Sequence, residues 1–138
     1  HIDSFLDNGY TKEEEKMINE TRKILNNPNL KITATTVRVP VFNCHSESIN
    51  VEFEKDFELK DLISTLSHFP GIIVQNSNEN ELYPLASTAD GHDEVFIGRI
   101  RRDKSVDSGV NLWVVADNLR KGAASNAVQI VEKLIQDN

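Results

Sequence analysis

The sequence predicts an α+β domain whose mixed or antiparallel sheet is flanked by helices. Two observations carry that expectation. Apolar residues recur at helical spacing near both ends of the chain, while the middle holds β-branched and alternating runs. The elements are also segregated, with two terminal helices, one short internal helix and about five strands, which is the pattern of an α+β fold. At 138 residues the chain suits one domain with a sizeable core.

Residues 1–10 contain Ser, Asp, Asn and Gly and read as a loop. Thr11-Lys12-Glu13-Glu14 then has the form of a capping box, in which Thr11 caps and Glu14 reaches back. Met17, Ile18, Thr21, Ile24 and Leu25 follow at helical spacing, and Asn26-Asn27-Pro28 ends the helix. From Lys31 to Val41 the abundance of Thr, Val and Ile predicts a strand, with Val37, Val39 and Val41 on one face and Thr36, Arg38 and Pro40 on the other. Pro40 marks an edge or the strand's end. Residues 42–47 form a connection, so His45 is expected in or next to a turn. Residues 48–54 alternate as a second strand, with Ile49, Val51 and Phe53 against Asn50, Glu52 and Glu54.

Leu59 to Phe69 reads as a short helix stopped by Pro70-Gly71, and Ile72-Ile73-Val74 as a strand. Asn76 to Glu81 is expected as a loop and Leu82 to Asp93 as irregular. Glu94 to Arg102 and Val110 to Ala116 predict two strands joined by the polar stretch Asp103 to Gly109. The last helix is expected over Gly122 to Gln136, with Ala127, Ile130, Val131, Leu134 and Ile135 on its apolar face.

Composition narrows the function classes. With 22 acidic and 15 basic residues the net charge is −7, which repels phosphate backbones and argues against a nucleic-acid partner. The cluster Arg99, Arg101, Arg102 and Lys104, interrupted by Asp103, reads as a polar strand end. A single cysteine rules out an internal disulfide and fits a reducing compartment, so a cytoplasmic location is expected. No apolar run approaches the ~18–20 residues of a membrane span, and no signal peptide is visible. The chain opens His1-Ile2-Asp3 without an initiator Met, which is expected of a processed chain or a piece of a longer one.

Several chemistries fail on spacing. Cys44, His45, His68 and His92 form neither C-x-x-C nor H-E-x-x-H, so no metal site is expected. The six glycines are scattered and form no phosphate-binding loop. Cys44 and His45 are adjacent, and in an extended chain neighbouring side chains point to opposite sides, so a nucleophile–base pair is disfavoured. Free cysteine behaves as a small packing residue, and Cys44 is read that way. Arg38 has the fork geometry that binds a carboxylate, and His45 is of the residue type whose unperturbed pKa suits a general acid or base. Glu20 and Lys23, three apart on the first helix, share a face. On residue type alone, each of these is also compatible with an ordinary solvated surface.

Five strings change the balance: Asn19-Glu20-Thr21-Arg22-Lys23; Val37-Arg38-Val39-Pro40-Val41; His45-Ser46-Glu47-Ser48; Gly98-Arg99-Ile100-Arg101; and Trp113-Val114-Val115-Ala116-Asp117-Asn118-Leu119-Arg120-Lys121-Gly122-Ala123-Ala124, followed by Asn126-Ala127-Val128-Gln129. In this order they resemble the C-terminal part of bacterial aspartate-semialdehyde dehydrogenases, closest to the Gram-positive type. The resemblance implies a fold similar to the C-terminal domain of glyceraldehyde-3-phosphate dehydrogenase. It also implies an NADP-dependent reductive dephosphorylation of aspartyl phosphate to aspartate semialdehyde through a cysteine thioester, in amino-acid biosynthesis. It places the substrate-holding glutamate on Glu20, the phosphate-binding lysine on Lys23 and the carboxylate-holding arginine on Arg38. The acid/base histidine falls on His45, and a cofactor-side residue on Asn118. A homodimer is implied as well.

The family's nucleophile lies upstream in an Asn-Cys segment that this chain does not contain, and Cys44 falls beside the histidine instead. The expected organisation is therefore a partial substrate-binding and dimerisation domain over 1–117. The expected helix over 118–138 would normally pack on a nucleotide-binding domain absent here, and the chain alone is expected to be inactive. A non-catalytic dimerisation or binding module of the same fold is the alternative. A stable dimer that binds neither aspartate semialdehyde nor NADP would favour it.

Overall fold

The computed structural model describes residues 1–77 and 82–136. The chain forms two compact units, His1–Pro40 and Val41–Asn138. In the first unit, helix α1 runs Lys12–Ile24. It begins where expected: Thr11 accepts from the Glu14 amide, and the Glu14 carboxylate accepts from the Thr11 amide at 2.8 Å. Glu14 also accepts from the Thr36 amide at 2.8 Å, so the cap residue ties the helix start to the segment that follows. That segment is where the expected Lys31–Val41 strand fails. Residues 31–39 have no regular structure, and Val37 is 64% exposed. Thr and Val favour extended backbone, but a strand needs a paired neighbour, and here the amide of Thr36 goes to a side chain instead.

The second unit is built on one four-stranded sheet in the order β1-β4-β3-β2. Its strands are β1 (His45–Glu52), β2 (Ile72–Val74), β3 (Val95–Asp103) and β4 (Gly109–Ala116). The sheet is mixed: β1–β4 and β3–β4 are antiparallel, while β2 runs parallel to β3. The expected fold class holds, with four strands rather than about five because the 31–41 strand does not form. β1 also starts three residues earlier than its alternation suggested, so His45 is the first strand residue, opposite Ala116.

Helix α2 (Leu59–His68) lays Leu59, Leu62, Ile63 and Leu66 against Ile97, Ile100 and Val110 on one face of the sheet. On the other face Cys44, Phe96 and Val115 pack with Ala89, which belongs to the short helix α3 (Ala86–Ala89) inside the stretch expected to be irregular. Helix α4 (Ala124–Gln136) closes the described chain, starting two residues later than expected and ending at the expected Gln136. Residues 78–81 of the expected Asn76–Glu81 loop lie outside the described residues.

One bulge shapes β3. Gly98 faces Trp113 and Arg101 faces Asn111, so Arg99 and Ile100 together oppose a single residue. Arg99 takes up the extra length with a left-handed φ of 52°, and the freed Ile100 amide donates to Asn76 Oδ1 at 2.8 Å.

Candidate active site

The predicted site residues divide between the two units. Glu20 and Lys23 lie on the exposed side of α1, and no ion pair joins them among the described residues, so their shared face is open. Arg38 is exposed in the extended segment after α1, rather than mid-strand as expected. Its guanidinium makes no hydrogen bond or ion pair among the described residues, which leaves its full fork of donors for an anion. An open cleft of about 470 Å³ in this unit is lined by Phe5, Tyr10, Thr11, Glu14 and residues 33–37, and none of the three predicted residues borders it.

His45 and Asn118 belong to the second unit, and the sheet register brings them together. His45 opens β1 opposite Ala116, and Asn118 lies two residues past Ala116, so both leave the same end of the β1–β4 ladder. The His45 side chain is exposed, as an imidazole that exchanges protons with a bound molecule must be. Asn118 is half-buried, and its amide makes no hydrogen bond among the described residues. A partly desolvated amide with free donors and acceptor suits a polar ligand.

Cys44 turns away from this corner. It is 5% exposed, and its thiol donates to the Ala86 carbonyl at 3.3 Å. Burial pushes the thiol pKa up, and Asp117 and Asp90 add to the shift. A reactive cysteine needs the opposite environment. Its backbone is left-handed (φ 74°) rather than extended, yet the outcome matches the sequence expectation: thiol inward, imidazole outward.

Asp117 carried no role in the sequence reading. It is 4% exposed and accepts from the Gly91 and Leu119 amides, both at 2.9 Å. Those two bonds hold its carboxyl pKa below the usual range. The only sequence signal was an acidic residue at the end of an apolar strand, which does not separate a buried staple from a solvated one. Among the described residues no group of three or more His, Cys, Asp or Glu side chains could hold a metal ion, and no helix is long and apolar enough to cross a membrane.

Residues 1–121 match the family described as semialdehyde dehydrogenase, dimerisation domain. The aspartate-semialdehyde dehydrogenase of Aquifex aeolicus is 53% identical over 137 residues, covering 99% of this chain and 40% of that protein. The Bacillus subtilis enzyme is 49% identical over 134 residues, covering 96% and 39%. Among solved structures, aspartate semialdehyde dehydrogenase II from Vibrio cholerae complexed with ASA matches with a TM-score of 0.92 at 48% identity, over 99% of this chain and 40% of that one. A probable aspartate-semialdehyde dehydrogenase from Pseudomonas aeruginosa matches with a TM-score of 0.88 at 30% identity, over 98% and 40%. The chain thus spans about 40% of the length of the relatives it matches.

Proposed function

The chain belongs to the semialdehyde dehydrogenase dimerisation-domain family, and from that premise we propose that it is the substrate-binding and dimerisation part of an aspartate-semialdehyde dehydrogenase. The observation that carries this reading is the likeness to the Vibrio cholerae enzyme complexed with ASA, which extends over 99% of the chain. The reaction is the NADP-dependent reductive dephosphorylation of aspartyl phosphate to aspartate semialdehyde, in the cytoplasm, as a step of amino-acid biosynthesis.

Each residue type fits its share of that chemistry. Arg38 pairs bidentately with the substrate carboxylate, and Lys23 meets the phosphate as a mobile point charge. Glu20 holds the substrate from the same helix. His45 takes and returns protons at the reacting sulfur and carbonyl oxygen, a task that requires an accessible ring nitrogen. The nucleophilic thiol comes from outside this chain, because the one cysteine here, Cys44, is buried and its pKa is raised. Asn118 is the residue present that would hold the cofactor, which supplies the hydride when bound. Helix α4 packs on the nucleotide-binding part of the whole enzyme, and the active assembly is a homodimer.

Steady-state kinetics of the full-length protein that carries this chain test the assignment. His45→Ala is expected to lower kcat on the order of 10²-fold or more, the scale of a lost general acid–base. Arg38→Ala is expected mainly to raise the substrate KM. Wild-type kinetics in both variants would remove these roles. The reading as a non-catalytic module gains if the full-length protein dimerises but turns over no semialdehyde.

A further inference from the structure

Three segments meet at the end of the sheet from which His45 and Asn118 depart. Asn43 donates through Nδ2 to Asp90 at 3.0 Å, and the Cys44 thiol donates to Ala86 at 3.3 Å, so the approach to β1 is fastened to the 86–91 segment. Asp117 fastens that same segment to the end of β4: one carboxylate oxygen accepts from Gly91 and the other from Leu119. Its carbonyl accepts from the Arg120 and Lys121 amides at 3.1 and 2.8 Å, which curls the chain immediately after Asn118. Cys44 and Asp117 flank the His45–Ala116 pair on its outer side, one just before β1 and the other just after β4. Both are buried, unlike a group that reacts with a bound molecule.

We propose that Asp117 and Cys44 are positioning residues that hold His45 and Asn118 in one rigid corner. Asp117 does so through its two backbone hydrogen bonds, and Cys44 through the left-handed turn its backbone makes at the entry to β1. The proposal rests on the reading of His45 and Asn118 given above. Asp117 acts on Asn118 through the turn it closes, and on His45 through the 86–91 segment that also seats Cys44. Cys44 sets the direction in which the chain enters β1, and so the point from which the imidazole projects. The turn, not the chemistry of the thiol, is what matters at Cys44.

The test uses the full-length protein and separates kcat from KM. Asp117→Asn offers an amide N–H to one of the two backbone donors. It is expected to raise the cofactor KM and lower kcat together, each on the order of 10-fold, the scale expected when reacting groups are misplaced by a fraction of an ångström. Cys44→Gly keeps the left-handed conformation available and is expected to hold kcat within about threefold. Cys44→Val disfavours that conformation and is expected to lower kcat on the order of 10-fold at unchanged cofactor KM. Cys44→Ala, which fits the space, should fall between them and decides the point if the valine variant does not fold. The cysteine series likewise decides if Asp117→Asn does not fold. Wild-type kcat and KM in a folded Asp117→Asn, or equal losses in Cys44→Gly and Cys44→Val, would overturn the proposal. Wild-type kinetics in His45→Gln and Asn118→Ala would instead sink the underlying site reading, so the two failures are distinct.

Discussion

Thr11 and Glu14 show how much a pair of side chains can settle. Their reciprocal bonds satisfy amides that an α-helix leaves without partners, and Glu14 spends its second oxygen on Thr36. The bonds from the Thr11 and Thr36 amides hold the Glu14 pKa below its ordinary 4.5. A carboxyl whose folded pKa is depressed stabilises fully above its unfolded pKa, and that stabilisation disappears as pH falls through the folded value. The protection factors of the α1 amides, which allow for the slower intrinsic exchange at low pH, are therefore expected to fall on acidification below about pH 4.5, and Glu14→Gln should flatten that dependence. Thr11→Ala should cost about 1 kcal/mol of local stability at neutral pH, the usual worth of an N-cap. Unchanged α1 protection in Thr11→Ala would show that the cap does not hold the helix. This corner was legible because capping is a local code, readable from four consecutive residues. The burial of Asp117 was not, since the donors that trap it, Gly91 and Leu119, come partly from a segment 26 positions away.

At the scale of elements, the sequence was informative wherever periodicity and breakers agreed. Helix α2 and strands β2, β3 and β4 lie within a residue or so of their expected bounds, because Pro70-Gly71 and the polar Asp103–Gly109 stretch punctuate them. The strand expected over 31–41 failed because β propensity reports what fits a sheet and not whether a neighbour is present to pair. Helix α3 was missed because four residues are too few to show a helical period. Gly98 is the element-level feature that only three dimensions explain. A Cβ there would fall well inside contact distance of the Gln75 carbonyl oxygen and Pro84 Cδ, while the Gln75 amide donates to Ile97 at 2.8 Å. Gln75 and Pro84 are thus pressed directly onto β3, and Trp113 holds Pro84 by donating to its carbonyl at 2.9 Å. Gly98→Ala is expected to destabilise the second unit by about 3 kcal/mol, the upper end of overpacking costs. Trp113→Phe, which removes the hydrogen bond together with part of the ring packed on the Phe96–Val115 cluster, should cost about 2 kcal/mol. Urea denaturation followed by far-UV circular dichroism measures both, and a Gly98→Ala midpoint equal to wild type would contradict the close approach.

For the whole molecule, the informative surface is α4. None of its described residues is buried, and Val128, Ile130, Val131, Leu134 and Ile135 are each more than half exposed, which places an apolar stripe in water. The helix is nonetheless tied at its start: Asp93 accepts from Ser125 and from Arg120, bonds that also lower its carboxyl pKa. An anchored helix with an uncovered apolar face is built to be covered, and the relatives have about 60% of their length outside the region matched here. If the nucleotide-binding part covers this stripe, replacing its residues should matter in the whole enzyme and not in this chain alone. Val131→Gln with Ile135→Gln, one turn apart, keeps good helix formers and changes only the apolar face. In the 138-residue chain the pair should leave stability within about 0.5 kcal/mol, as for exposed positions generally. In the full-length protein the same pair should lower the thermal midpoint and raise the cofactor KM, because the helix that follows Asn118 would lose its seat. Equal effects in both proteins, or none in either, would mean that the stripe is not covered by the rest of the enzyme.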